Sequence, residues 1–213
     1  MAKADQDWSA LDRNGFATLS GAVPPDWLTP LRATFEAGFV PSDRWPVMRG
    51  RDWRHAMVDT DPLVQQLCRL PLLIAAVRHM LPAPFFLAQV EGRDPCQNNA
   101  VQPLHRDGAG MGGQVAAAMV WLDAYDAANG ATRIVPGSHK GDAAADEAAA
   151  VVLAGGAGDI LLFAPDVLHG ATSNSSGAPR RALLLTYADT ALRDAFGQTA
   201  ALRGVRMACD EDF

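Results

Sequence analysis

Cysteine is scarce in this chain, with three among 213 residues. Cys68, Cys96 and Cys209 are far apart, odd in number and form no Cys-x-x-Cys pair. That excludes a disulfide framework and a thiolate zinc site of ordinary spacing, and points to a reducing, cytoplasmic compartment. Long apolar runs are also missing. None approaches the roughly 20 residues that span a bilayer, and the polar start Met1–Asp7 lacks the apolar segment of a secretory signal. No membrane partner is expected. Positive charge is not in excess, since the formal net charge is −6. A nucleic-acid backbone favours a basic face, so no nucleic-acid partner is expected either. No internal repeat breaks the chain. With 49% hydrophobic and 20% charged residues, the composition is that of an ordinary soluble domain. A chain of this length buries roughly 70% of its unfolded surface without staples.

Periodicity divides the chain into three stretches of one domain, 1–213. The first, about 1–82, is mostly helical. Trp8 and Leu11 mark a short helix over 6–14, and Phe16–Val23 reads as a strand. Pro24-Pro25-Asp26 starts a helix carrying Trp27, Leu28, Leu31 and Phe35 at helical spacing. Residues 40–58 have no clean period and read as a loop, rich in arginine and tryptophan. Residues 62–81 return to helical spacing. The second stretch, about 83–190, switches to short strands with turn signals between them: 85–91, the region around 102–107, 116–124, 132–135, 160–163 and 181–187. The alanine-rich 142–150 reads as a short helix or loop. The tail, 191–213, shows little pattern. Helices followed by many short strands point to a mainly β fold with flanking helices. A jelly roll, the double-stranded β-helix of cupins, fits because its two facing sheets hold a site between them.

The chemistry centres on Gln102-Pro-Leu-His-Arg-Asp-Gly108. On a strand, His105 and Asp107 point to one face. An imidazole and a carboxylate are two thirds of the facial 2-His-1-carboxylate set of non-haem Fe(II). The third ligand must be a second imidazole from a distant element, among His55, His79, His139 and His169. His169 is the best of these, because it follows a buried strand and precedes Gly170, which permits close backbone approach. Three facial ligands leave three open positions, and one carboxylate against a dication leaves positive charge that favours an anionic cosubstrate. A buried carboxylate on that cosubstrate needs a cationic fork. Arg180 and Arg181 open the last strand and point to opposite faces, and period two alone leaves the choice open.

Several motifs, in order, resemble the phytanoyl-CoA dioxygenase (PhyH) family of Fe(II)/2-oxoglutarate oxygenases over roughly residues 10–190. They are Asp12–Ala17, His105-Arg106-Asp107, the block Asn129–His139 (Asn-Gly-Ala-Thr-Arg-Ile-Val-Pro-Gly-Ser-His), Gly158-Asp159, and His169-Gly170 with Asn174, Ser176 and Arg180. The resemblance implies a non-haem dioxygenase with Fe(II) held by His105, Asp107 and His169, and with 2-oxoglutarate and O₂ as cosubstrates. It selects Arg180, eleven residues after the distal histidine, for 2-oxoglutarate. A tailoring subgroup implies Gln102 and Thr132 as further cosubstrate contacts. The implied reaction hydroxylates a small molecule and releases succinate and CO₂, with no catalytic side chain beyond the metal ligands. The intact Asp107 disfavours halogenation, because related halogenases carry a small residue there. The short connection from His139 to Gly158 disfavours an acyl-CoA substrate.

For the substrate, Arg51 and Arg54 with Trp45 and Trp53 in the 40–58 loop either close over an anionic or aromatic small molecule or form a solvated loop whose two tryptophans pack on the core. Trp121, with Met119 on the same strand, either lines the pocket or belongs to the core. Two other readings share part of the pattern. A cupin-like oxygenase that does not use 2-oxoglutarate needs the His-x-Asp and the distal histidine but not Arg180 or Thr132. A non-catalytic binding protein on the same fold would be expected to lose a ligand.

Overall fold

The computed structural model describes residues 7–108, 111–141 and 146–213. Its first part runs α1 (Ser9–Asn14), β1 (Phe16–Leu19), α2 (Leu28–Ala37), β2 (Phe39–Val40), β3 (Trp53–Ala56), α3 (Pro62–Leu67) and α4 (Pro71–Met80). Then come β4 (Phe85–Pro95), β5 (Gln102–His105), β6 (Val115–Trp121), β7 (Thr132–Ile134), β8 (Val151–Val152), β9 (Ile160–Phe163), β10 (His169–Ala171), β11 (Ala182–Asp189) and α5 (Arg193–Thr199). Seven strands form a major sheet in the order β1-β9-β6-β11-β4-β3-β2, and four form a minor sheet, β5-β10-β7-β8. All pairings are antiparallel. Non-consecutive neighbours in two facing sheets are the double-stranded β-helix expected from the strand pattern.

The central strands β6 and β9 of the major sheet are apolar on both faces because both faces are covered. Leu183 and Leu185 of β11, with Ala118 and Val120 of β6, pack against Leu31 and Phe35 of α2, Leu67 of α3 and Leu73 and Val77 of α4. The opposite face carries Ala117, Trp121, Leu161, Phe163 and Ala182, and meets Ile134 of the minor sheet. Burial of a leucine- or phenylalanine-sized side chain contributes roughly 1.5–3 kcal/mol, so this double cover supplies most of the driving force. The helix expected over 62–81 is two helices. Asp61 caps α3 by accepting from the backbone N–H groups of Leu63 (2.9 Å) and Val64 (3.0 Å). Pro71 then opens α4 and holds Leu70 extended (ψ 127°), as a residue before proline prefers.

Three expected boundaries differ. The 40–58 segment is not all loop. Its Trp53–Ala56 stretch pairs with Pro95–Gly92 of β4, because β4 would otherwise present an open edge. Strand β4 does not stop at Glu91; it continues through Gly92 to Pro95. Gly92 is required there, since a Cβ would lie 2.7 Å from the Phe35 ring. Strand β5 ends at His105, so Asp107 stands on the loop beyond it. Part of the alanine-rich 142–150 segment, residues 142–145, lies outside the described residues, and Glu147–Ala149 is one 3-10 turn. The tail caps the fold. The Phe213 N–H donates to the Phe85 carbonyl (2.8 Å), and Asp59 accepts from the Arg206 and Met207 backbone N–H groups. The three cysteines are free. Among the described residues no helix is long and apolar enough to cross a membrane.

Candidate metal centre

The two histidines meet across a strand pair. His169 of β10 sits directly opposite His105 of β5, and their ring centroids are 4.4 Å apart. Gly170 allows this approach, because a Cβ there would lie 2.5 Å from the Gln102 carbonyl oxygen and 3.0 Å from that of Pro103. Asp107 reaches the pair from the loop, held by its own N–H donating to the Pro165 carbonyl (3.1 Å). His105 Nε2 is 3.4 Å from Asp107 Oδ1, and His169 Nε2 is 3.4 Å from Oδ2. One ligand atom from each residue lies within 4.8 Å of the others.

The polar neighbours of this trio define its protonation. His105 Nδ1 is 3.0 Å from the Pro103 carbonyl oxygen and His169 Nδ1 is 3.0 Å from that of Val167. A carbonyl only accepts, so each Nδ1 carries a proton and each neutral ring turns its Nε2 lone pair towards the carboxylate. Two lone pairs and a carboxylate converging on one point call for a cation between them. The donor set fits a divalent metal, and the backbone carbonyls fix both rings as outer hydrogen-bond partners do in metal sites. With no cation between them, a ring protonated at Nε2 as well would donate to the carboxylate instead, and such hydrogen bonds from His105 and His169 hold the Asp107 carboxyl far below the ordinary carboxylate range. The same contact with Asp107, against the cost of burial, raises the His105 pKa.

The Pro-Gly-Ser-His block is a brace. Ser138 Oγ donates to the Val135 carbonyl (2.7 Å) and accepts from the Leu168 N–H (2.8 Å), just ahead of His169. Arg106 donates to the carbonyls of Asp166 and Ser138, which ties the Asp107 loop to the same segment. Asp159 secures the turn into β9 by accepting from the N–H groups of Gly21 (2.7 Å) and Gly156 (2.9 Å), with Gly158 at φ +96°.

The metal trio opens into a cavity that is also lined by Gln102, Thr132, Arg180, Trp53, Met119 and Phe163. Arg180 is 2% exposed, yet its Nε and Nη1 have no hydrogen-bond partner among the described residues. Its guanidinium lies 4.6 Å from the Tyr125 ring centroid and 5.2 Å from that of Trp53. Burial lowers its pKa, and nearby Tyr125 and Asp94 offset that only in part. Asp94 does not satisfy the fork, because it accepts instead from the Arg180 backbone N–H (2.9 Å) and from Arg54 Nη1 (3.1 Å). A buried guanidinium with unmade bonds is costly unless a ligand carboxylate completes it. The choice between the two arginines follows from this geometry. Arg181 is committed outside the cavity to Asp123 (2.8 Å) and Glu36 (3.0 Å), and Arg180 faces in. Asn174 positions Arg180 by closing the preceding loop, accepting from the Gly177 N–H and donating to the Ala178 carbonyl. Gln102 Nε2 is 3.5 Å from His105 Nε2, and the buried Thr132 hydroxyl has only the Met119 sulfur, at 3.6 Å, as acceptor.

Three expected substrate contacts lie elsewhere. Arg51 is exposed on the loop. Arg54 points outward and pairs with Glu36 (2.6 Å) and Asp94 (3.1 Å). Trp121 is fully buried and stacks on Tyr125 at 4.3 Å, which makes it core beneath the cavity. Trp53 does line the cavity, and so does Met119. The remaining histidines serve other purposes. His79 bonds Asp12 (2.7 Å) at the end of α4, and the His139 ring fills the space beside Gly15. His55 is buried against Trp45. Arg93 and Tyr125 were not anticipated. Arg93 is legible only if β4 continues past Gly92, and no pattern marks Tyr125.

Comparison with known proteins agrees with this architecture. The family model described as phytanoyl-CoA dioxygenase (PhyH) matches residues 11–182. L-proline trans-4-hydroxylase of Streptomyces griseoviridis is 27% identical over 175 residues, covering 62% of this chain and 65% of that protein. Dioxygenase cdmA of Talaromyces verruculosus is 48% identical over 62 residues, covering 27% of this chain and 20% of the relative. The matches thus span less than two thirds of these relatives' lengths. Among solved structures, HygX from Streptomyces hygroscopicus with nickel, 2-oxoglutarate and hygromycin B bound superimposes with a TM-score of 0.70 at 18% identity, covering 87% of this chain and 88% of that one. AviO1 from Streptomyces viridochromogenes Tue57 gives 0.68 at 24% identity, covering 86% and 93%. The structural likenesses concern the fold. The family match runs through most of the chain and through every motif that builds the metal trio, so the chain belongs to the phytanoyl-CoA dioxygenase family.

Proposed function

We propose that the chain is an Fe(II)- and 2-oxoglutarate-dependent oxygenase that hydroxylates a small molecule. The observation that carries this reading is the orphaned, buried Arg180 guanidinium in the same cavity as His105, Asp107 and His169. A metal protein that did not use a keto acid would have no use for such a cation. The overall reaction balances as substrate C–H, O₂ and 2-oxoglutarate giving substrate C–OH, succinate and CO₂. Fe(II) bound by the trio supplies O₂ activation coupled to decarboxylation of the keto acid. The protein's residues hold and orient. His105, Asp107 and His169 ligate. Arg180 pairs with the far carboxylate, and the Thr132 hydroxyl and Gln102 amide are hydrogen-bond donors to the same cosubstrate. Trp53, Phe163 and Leu184 keep water from the cavity. The HygX structure contains nickel and 2-oxoglutarate, and the Streptomyces griseoviridis relative is a proline hydroxylase. Both support a small-molecule hydroxylase. The test is succinate release by purified protein with Fe(II), ascorbate and 2-oxoglutarate. Turnover that needs both Fe(II) and 2-oxoglutarate is expected, and metal-dependent oxidation that proceeds equally without 2-oxoglutarate would favour the cupin-like reading.

A further inference from the structure

A second cavity, of about 240 Å³, also borders Asp107 but not Arg180. It shares Asp107, Arg93 and Leu184 with the metal cavity. Ligand cavities run from ~300 Å³ upward, so this one suits a small metabolite. Its polar wall comes from one face of β4, where Gln89, Glu91 and Arg93 alternate at period two. Glu91 is 2% exposed and accepts from Arg93 Nε (2.5 Å), Arg49 Nη2 (3.2 Å) and Gln89 Nε2 (3.2 Å). Burial pushes the Glu91 carboxyl up, and the charges of Arg93 and Arg49 more than offset it, so Glu91 stays ionised below the usual range. Arg203 adds a third cation by donating to Gln89 Oε1 (2.7 Å). Two arginines, Arg93 and Arg49, therefore meet one carboxylate at this wall, with Arg203 beside it on Gln89. Arg203 is spent on Gln89 and backbone carbonyls, and Arg49, which does not line the cavity, gives its Nη2 to Glu91 and the Arg203 carbonyl while its buried Nε has no partner among the described residues. Arg93 is different. Only its Nε is bonded, its side chain is 36% exposed, and its two terminal nitrogens have no partner among the described residues. The apolar part of the lining is Met111, Val115, Leu184 and Phe196, with Leu184 directly beside Glu91 on the neighbouring strand.

The geometry points to a substrate site for a small aliphatic carboxylate, its anionic end forked by the Arg93 terminal nitrogens and its body against Leu184, Met111 and Phe196. The inference rests on the 2-oxoglutarate oxygenase reading. Glu91 acts as the positioning residue that fixes the Arg93 fork, and a planar fork matches a carboxylate bidentately.

The test uses protein loaded with Ni(II) and 2-oxoglutarate, whose binding is measured first by calorimetry. Failure at that step sinks the oxygenase reading itself and is separate from the substrate question. L-proline, L-leucine and hexanoate are then titrated, each beside its primary amide. At least one acid should bind roughly 10-fold or more tightly than its amide, the loss expected when a charge-assisted hydrogen bond to a partly exposed fork is removed. Arg93→Gln should abolish that preference and leave Ni(II) and 2-oxoglutarate affinities within about threefold of wild type. The charge-balanced pair Glu91→Gln with Arg93→Gln gives the same readout if the single variant folds poorly. Equal binding of acid and amide, no binding of any acid, or a loss of 2-oxoglutarate affinity in both variants would overturn the assignment.

Discussion

Replacing Arg180 by methionine separates the cost of burying a cation from its use. In the ligand-free protein two of its donors go unmade, at about 1–3 kcal/mol each. Its approaches to Tyr125 and Trp53 return up to about 2 kcal/mol each. The two effects nearly cancel, so Arg180→Met should melt no lower than wild type and up to about 4 °C higher, at 2–4 °C per kcal/mol for a chain of this size. Asp94 tolerates the change because it keeps Arg54 and the backbone N–H of residue 180. The effect on the ligand is far larger. Loss of a desolvated charge pair costs about 2–5 kcal/mol, which raises the 2-oxoglutarate Kd by ~30- to ~5000-fold. Titration of the Ni(II)-loaded protein by calorimetry measures the second quantity, and thermal melts measure the first. At 100 times its wild-type Kd, 2-oxoglutarate should stabilise wild type by about 2.7 kcal/mol and the variant by about 0.9 kcal/mol or less at that concentration. A variant that binds 2-oxoglutarate within threefold of wild type would refute the role of Arg180. A variant that unfolds would show the guanidinium to be structural.

Further outcomes follow from other residues. His105→Ala, Asp107→Ala and His169→Ala should each weaken Ni(II) binding by more than the 10–100-fold of an outer-sphere change and stop succinate release; full succinate formation by any one of them contradicts the ligand set. Gly170→Ala drives a Cβ into the Gln102 and Pro103 carbonyls, costs about 1–3 kcal/mol as overpacking, and should weaken metal binding by parting β10 from β5, whereas an unchanged metal titration argues against that close approach. His55 is buried, and desolvation first, then the Arg93 charge, lowers its pKa to about 4 from the ordinary 6.5. Its stability contribution is therefore whole above pH 6.5 and is lost as pH falls towards 4, when the unfolded chain takes the proton and the folded one does not; below that no more is lost. The loss amounts to about 3 kcal/mol. Denaturant melts of His55→Leu should be flatter than wild type across this window, and an equal slope counts against the assignment.

The legible parts of this molecule were those that local chemistry dictates. Apolar runs such as 160–163 read as buried strands, whereas the helix start at Pro71 is hidden by the unbroken apolar spacing of 62–81. His169 stood out because a glycine beside a histidine on a buried strand makes sense only where backbones approach. What was illegible depended on pairing. Gly92 looks like a strand stop until Phe35 is known to sit on it, so β4 was read as too short and Arg93 was assigned to a loop. Trp53 was read as loop because its strand exists only through its pairing with β4. His105 and Asp107 come together, as the same-face argument expects, although β5 ends at His105, since the hydrogen bond to Pro165 returns the loop to His105. Arg51 and Arg54 show the converse. Their charge suggested ligand contact, but Glu36 and Asp94, distant in sequence, claim the Arg54 side chain.

The central claim is that one metal and one keto acid share the cavity between the sheets. Its most direct test is a crystal of the protein grown with Ni(II) and 2-oxoglutarate, with anomalous scattering recorded at the nickel edge. A single anomalous peak between His105 Nε2, Asp107 and His169 Nε2 is predicted, with the far carboxylate of 2-oxoglutarate on the Arg180 guanidinium. A peak elsewhere, or a keto acid bound away from Arg180, would contradict the account.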